Sequence, residues 1–296
     1  MAVKVENGNI SSYGTSIFKA SHNVLETGLF DDAGLIDALD RHPQENLDIC
    51  TQGSFDTCNR GDAGAEDILD AVNQGVLWLN LRRIERVDSP LGRLVQDMHL
   101  AFENTVGIKA RSRIGGLLIS SPTTKVNYHY DTTDVTLWHL RGEKRIFIYP
   151  NKKPYLAPKD VQAVALATGI EKLPYEKSFD KQAAVIDLKP GDMISWPHLS
   201  PHRIDNLEGL NVSLSLEALT MASRLRMGAH FFDGYVNKAL KTGLQSTDPA
   251  APIALAKTGM AAFIKKAGLH HGHHKDVAPS FNLNMEAPGC IEPINT

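Results

Sequence analysis

Three cysteines in 296 residues, Cys50, Cys58 and Cys290, are too few and too irregularly spaced for a disulfide framework or a zinc knuckle. No CxxC pair occurs, which suits thiols kept reduced. Basic residues are not in excess either: 31 Lys and Arg stand against 34 Asp and Glu, for a formal charge of -3. Phosphate binding is carried by clustered Lys and Arg, and no charge run here is long enough to form such a cluster, so no nucleic-acid partner is expected. No apolar stretch approaches the ~20 residues of a membrane span. The N-terminal stretch from Met1 to Ser16 lacks the apolar core of a secretory signal. These absences set the expectation of a soluble, cytoplasmic protein with no membrane partner.

What the chain does have is enough apolar content, 42%, to bury a large core. Its N-terminal third, residues 1–113, reads mostly helical. Helical spacing runs from Asp31 to Arg41, from Ala65 to Gln74 with Gly75 as a stop, and onward from Ser89-Pro90, which suit the N-cap and N1 positions. A short apolar strand covers Val76 to Leu81, and the polar segment from Asn46 to Gly64 reads as a loop or an irregular strand. From Ile114 to Leu219 the period becomes that of short strands: 114–121, 125–130, 134–140, 144–149, 183–188, 192–196, 202–206 and 210–219. Turn signals at Arg141-Gly142, Lys189-Pro190-Gly191 and Glu208-Gly209 separate several of them. The pattern predicts a mainly β fold with flanking helices, a jelly-roll sandwich or barrel. A polar, proline-punctuated insert at 150–181 interrupts the strands; a loop of that length inside a compact domain is often a lid. Beyond Leu219, residues 220–296 hold two predicted helices, Met221 to Leu240 and Pro252 to Ala267, and an irregular tail.

The chemistry concentrates in the β region. On a strand, residues two apart share a face, so His129 and Asp131 project together while Tyr128 and Tyr130 point the other way. A histidine from a distant strand would complete a set of two imidazoles and one carboxylate, the facial triad that binds non-haem Fe(II) and leaves positions open for chemistry. The stretch from Lys189 to Pro197 reads as a turn and a buried strand, and His202 then opens the next strand through Ile204. His198 is a competing ligand, but it follows Pro197 directly and falls in the connecting bend.

Lys144 adds a cation. Alternation places Lys144, Ile146 and Ile148 on one face and Arg145, Phe147 and Tyr149 on the other. If the isoleucines face inward, Lys144 is buried and demands an anion, because an unpaired buried charge costs several kcal/mol. A dicarboxylate bound to the metal at one end would satisfy it at the other. With the parity reversed, Arg145 would take that role.

Together these residues resemble a known family. Ile119-Ser-Ser-Pro122, Tyr128-His-Tyr-Asp131, Leu137-Trp138, Gly142-Glu-Lys-Arg145 and Tyr149-Pro150, then Gly191-Asp192, Pro197 and His202, are similar to the cupin-like JmjC group of Fe(II)/2-oxoglutarate oxygenases. That group includes the asparaginyl hydroxylase acting on hypoxia-inducible factor. The resemblance covers 114–219 and implies a double-stranded β-helix core. It makes His129, Asp131 and His202 the iron ligands and Lys144 the partner of the distal carboxylate of 2-oxoglutarate. Where some relatives place threonine or asparagine near the co-substrate, this chain has Val126 and Val135, so Thr136 or Ser213 is expected to replace that contact. The two C-terminal helices look like the element through which related hydroxylases form homodimers.

The activity implied is hydroxylation of a C–H bond in an amino-acid side chain, protein-borne or in a small molecule. It would consume O2 and convert 2-oxoglutarate to succinate. Retention of Asp131 favours hydroxylation over halogenation. A non-catalytic ligand-binding cupin and a cupin dioxygenase that does not use 2-oxoglutarate are the competing readings. Among the remaining residues, His139 reads as a core or supporting histidine, Asp134 as a turn residue, and Trp78, Trp138 and Trp196 as core aromatics. Arg82 and Arg83 could recognise a substrate carboxylate, but a surface salt bridge is their default reading; His270, His271, His273 and His274 could bind a metal, but a solvated tail cluster is favoured because ligands need a fixed geometry.

Overall fold

The computed structural model describes residues 2–51, 57–245, 250–270 and 279–294. Its centre is a jelly roll of two facing sheets. The larger has eight strands in the order β1 (Val5–Glu6), β2 (Phe18–His22), β11 (Asp192–Ser195), β8 (Asp134–Arg141), β13 (Asn211–Leu219), β6 (Ser112–Ser120), β5 (Leu77–Arg82) and β3 (Leu47–Thr51). The smaller has four, β10 (Ala184–Leu188), β9 (Lys144–Ile148), β12 (His202–Asn206) and β7 (Lys125–His129). Each of the eight strands expected between Ile114 and Leu219 is present, and every pairing in these two sheets is antiparallel.

The N-terminal region departs from its helical expectation. Four of its strands (β1, β2, β3 and β5) extend the larger sheet on both sides. A further short strand, β4 (Thr57–Asn59), joins β14 (Pro279–Leu283) and β15 (Ile291–Pro293) in a three-stranded sheet. The segment expected as loop or irregular strand therefore holds both β3 and β4. The N-terminal region thus both extends the larger sheet through β1, β2, β3 and β5 and packs on it through its helices. The expected helices are also there, as α1 (Asp32–Arg41), α2 (Ala65–Gln74) and α3 (Pro90–Val106). The Asp31 and Ser89 side chains accept from the amides of Gly34 and Gly92 and so fix the starts of α1 and α3.

Alternation divides the larger sheet into two faces. Leu77, Leu79, Leu81, Leu117, Ile119, Trp138, Leu214 and Leu216 point outward and are buried under α1, α2 and α3. Each such side chain contributes about 1.5–3 kcal/mol by leaving water, so this layer anchors the sheet. Residues of the opposite parity face the smaller sheet and line the interior. At the β8–β9 hairpin Gly142 has φ +77°, and a Cβ there would stand 2.7 Å from the Leu210 carbonyl oxygen, so the turn requires glycine.

The 150–181 insert is not an irregular loop. It carries α4 (Pro158–Ala165), and its Leu156, Val161, Leu173 and Phe179 pack on Tyr128, Tyr130 and Tyr149 over the outer face of the smaller sheet. Tyrosine hydroxyls pin it there: Tyr128 donates to the Tyr155 carbonyl (2.9 Å) and Tyr149 to Asp180 (2.6 Å). After the sheets come α5 (Met221–Leu240) and α6 (Ala251–Lys266), packed on each other. No helix among the described residues is long and apolar enough to cross a membrane.

Candidate functional site

β7 and β12 are adjacent and antiparallel, with His129 paired directly to His202. That register sets the two imidazoles side by side, ring centroids 4.2 Å apart. The chain leaves β7 after His129, and two residues later Asp131 turns back toward the same point. One carboxylate oxygen lies 3.5 Å from His202 Nε2 and the other 4.0 Å from His129 Nε2. One ligand atom from each of the three residues falls within 4.8 Å of the others.

Backbone carbonyls orient both rings. His129 Nδ1 lies 2.7 Å from the Asn127 oxygen and His202 Nδ1 3.2 Å from the Ser200 oxygen, so each Nδ1–H donates outward and each Nε2 is turned to the carboxylate. Burial, and secondarily the neighbouring His129, lowers the His202 pKa to about 4, so this ring is neutral and able to coordinate at neutral pH. Two imidazole nitrogens and one carboxylate converging from one side fit a facially bound non-haem ferrous ion. His198, the competing ligand, faces elsewhere: its Nε2 donates to the Thr132 carbonyl (2.9 Å) and its Nδ1 meets Arg226 of α5 (2.9 Å).

The three residues open onto a cavity of about 380 Å³ between the sheets. Lys144 lines the same cavity. It is 2% exposed, and among the described residues its ammonium has neither a hydrogen-bond acceptor nor an ion-pair partner. Parity is as expected: Ile146 and Ile148 are buried with Lys144, while Arg145 points out into a bidentate ion pair with Asp187 (2.6 and 2.8 Å). Burial pushes the Lys144 pKa down to about 7. In the β9–β12 register His202 pairs with Ile148 and Asn206 with Lys144, so the Lys144 backbone lies four residues, about 13 Å, along the sheet from the triad. A lysine side chain spans about half of that distance, leaving room for a short dicarboxylate between the triad and the ammonium.

Thr136 does not face the cavity in which its expected contact would be made. Val135 and Leu137 face the cavity, so Thr136 points to the opposite side of β8, where it accepts from Trp138 Nε1 (3.0 Å) and donates to the Leu216 carbonyl (3.4 Å). Ser213 does face inward, but its hydroxyl is bound to His139 Nδ1 (3.0 Å), and His139 Nε2 meets the Gly142 carbonyl (2.9 Å). His139 is thus a supporting histidine beside Lys144, its pKa pushed down to about 3 by burial and then by that lysine. Val126 and Val135 line the cavity, so the positions where some relatives are polar are apolar here.

Several lining residues were not expected. Trp138 is a core aromatic, but Trp78 and Trp196 are cavity walls, the Trp196 ring 4.5 Å from that of His202. Asp134 opens β8 and accepts from the Thr220 hydroxyl (2.7 Å) rather than forming a turn. Arg82 and Arg83 both border the cavity; Arg82 is paired with Asp48 (2.7 Å) and Arg83 is exposed at the rim. Glu171, carried in by the insert, and Glu217 of β13 also line it. The short bridge of His129 with Lys172 brings Glu171 beside the triad. His270 bonds the Leu166 carbonyl (2.8 Å) against Phe231, while His271, His273 and His274 lie outside the described residues.

Residues 71–216 match the family described as the cupin-like domain. No curated protein sequence matches the chain. Among solved structures it is similar to Escherichia coli ycfD, at 15% identity over 89% of this chain and 68% of that one, with a TM-score of 0.49. A structure of the E. coli ribosomal oxygenase YcfD with cobalt and 2-oxoglutarate matches at 16% identity over 79% and 58%, TM-score 0.40. Bacillus subtilis oxalate decarboxylase matches at 12% over 47% and 32%, TM-score 0.26. The chain thus spans less than two thirds of several of the structures it resembles.

Proposed function

We propose that this protein, whose residues 71–216 match the cupin-like domain family, is an Fe(II)- and 2-oxoglutarate-dependent dioxygenase that hydroxylates a C–H bond of an amino-acid side chain, protein-borne or in a small molecule. The observation that carries the reading is Lys144: a buried, unpartnered ammonium in the same cavity as a convergent His-Asp-His set. A structural lysine would be expected to reach solvent or a carboxylate, and among the described residues this one does neither.

His129, Asp131 and His202 would hold the ion from one side, leaving its remaining positions facing the cavity. When bound, ferrous iron with 2-oxoglutarate supplies the oxidising power, coupling decarboxylation to succinate with insertion of one oxygen atom of O2 into the substrate C–H bond. Lys144 would pair with the distal carboxylate and fix the co-substrate's orientation. Burial of that pair offsets the desolvation that the lysine already bears. Val126, Leu137 and Ile204 form an apolar wall that keeps bulk water from the co-substrate. The Asn127 and Ser200 carbonyls keep both imidazoles in the ligating tautomer throughout.

The C-terminal helices would make the protein a homodimer. Leu255, Met260 and Phe263 of α6 are 50% or more exposed, an apolar face that a second copy would cover. Activity is tested by following succinate formation from 2-oxoglutarate under air, with and without Fe(II). Iron-dependent succinate that is lost in His202→Ala supports the assignment. A protein that binds iron but never turns over 2-oxoglutarate, with or without candidate substrates, would favour the ligand-binding or 2-oxoglutarate-independent cupin.

A further inference from the structure

The segment that presents Asp131 lies outside the sheet ladders. β7 ends at His129 and β8 begins at Asp134, so the backbone groups of residues 130–133 must find partners elsewhere. Before Asp131 the Tyr130 amide donates to the Glu171 carbonyl (3.3 Å), and after it the Thr132 carbonyl accepts from His198 Nε2 (2.9 Å). These two bonds bracket the residue. Among the described residues the Asp131 carboxylate has no partner besides the two imidazoles, so its direction is set by the backbone that carries it.

His198 is itself held from the other side. Arg226 of α5 lies 2.9 Å from its Nδ1. A guanidinium only donates, so Nδ1 is the acceptor and the ring proton resides on Nε2, where it is offered to Thr132. The residue is 4% exposed, which keeps bulk water from competing for either bond. The backbone around it is equally committed. His198 and Leu199 are the central pair of a turn closed by the Ser200 amide on the Pro197 carbonyl (3.0 Å). Leu199 has φ +66°, a conformation leucine rarely adopts, and its side chain is buried with those of the insert. Such strain persists where the surroundings fix it. The Ser200 carbonyl of the same turn accepts from His202 Nδ1 (3.2 Å). One turn therefore reaches both Asp131, through the His198 side chain, and His202, through a carbonyl, while His129 is set by its pairing with His202.

We propose that His198 is a positioning residue for the metal centre: it locks the Asp131 segment to the turn before His202, and Arg226 extends that lock to α5. The inference rests on the reading of His129, Asp131 and His202 as metal ligands. His198 offers no ligand atom of its own, since both ring nitrogens are engaged. A histidine that merely filled space would need neither a donor aimed beside a ligand nor a cation that sets its tautomer.

The test reads Mn(II) affinity by calorimetry and the Mn(II) line shape by electron paramagnetic resonance, neither of which needs turnover. His198→Phe removes the donor and is expected to weaken Mn(II) binding about 10–100-fold and to alter the line shape. His198→Gln, whose amide can place a donor near the Nε2 position, should recover most of the affinity, and Arg226→Met should fall between. His42→Phe is the control: His42 is likewise buried and bonds a backbone carbonyl (Asn46, 3.1 Å), but at the end of α1, and this variant should bind Mn(II) like the native protein. No Mn(II) binding by the native protein, or binding that survives His129→Ala, overturns the functional reading and this proposal with it. Binding at the triad that His198→Phe leaves unchanged, or that His42→Phe weakens equally, overturns the proposal alone. If His198→Phe fails to fold, Arg226→Met decides, and native affinity with a native line shape in that variant overturns the proposal.

Discussion

Lys144→Met should make the protein more stable and less able to bind 2-oxoglutarate. Burial lowers the lysine from 10.5 to about 7, and each pKa unit is worth about 1.4 kcal/mol. At neutral pH the residue therefore costs the ligand-free fold about 4 kcal/mol. The sign follows from linkage. Below pH 7 the lysine is protonated in both states and the full cost is present. Between pH 7 and 10.5 the unfolded chain binds a proton that the folded chain does not, so stability rises with pH. Methionine has similar length and no charge, and should recover about 2–4 kcal/mol of that cost, a rise in Tm of roughly 5–10 °C. The same change removes the partner of the distal carboxylate, weakening 2-oxoglutarate by about 10²–10³-fold. Differential scanning calorimetry and 2-oxoglutarate titration on the same preparations read both effects. A variant that melts lower than the native protein, or binds 2-oxoglutarate equally well, would refute this account of Lys144.

Charging Lys144 on ligand entry should make 2-oxoglutarate affinity fall as pH rises above 7, with net proton uptake detectable by calorimetry in buffers of different ionisation enthalpy. Thr136→Val should leave 2-oxoglutarate affinity unchanged, because the hydroxyl faces away from the cavity. It should cost about 1–3 kcal/mol in chemical denaturation by leaving the Trp138 Nε1–H without its acceptor. Phe263→Glu on the exposed face of α6 should convert a dimer to monomers in sedimentation velocity.

Much of this site was legible because β alternation is strict. Lys144 with Ile146 and Ile148 follows from period two alone, whereas Asp131 lies just beyond the end of β7 and meets His129 because the chain turns back there. The same rule argues against Thr136: if Leu137 and His139 face inward, residue 136 cannot. The expectation for it came from the need to replace a relative's polar contact, and the parity of β8 overrides that need. Glu171 was hidden for a different reason. It sits in a polar, proline-rich insert, and pairing of that insert with the chain around His129 brings it to the cavity. Glu217 lies on a predicted strand, but its inward side was not distinguishable until β13 was paired. β2, Phe-Lys-Ala-Ser-His, has only two apolar residues in five, and its strand state depends on pairing with β11 rather than on propensity. Trp78 and Trp196 fit a core as well as a wall from sequence, since both environments favour large aromatic side chains.

The central claim is that one cavity holds both a facially bound ferrous ion and 2-oxoglutarate. Its most direct test is anaerobic titration of the Fe(II)-loaded protein with 2-oxoglutarate, following the visible metal-to-ligand charge-transfer absorption. The account predicts a saturable band that is lost in His129→Ala and requires higher 2-oxoglutarate concentrations in Lys144→Met. Iron bound at the triad with no band at any 2-oxoglutarate concentration would contradict it.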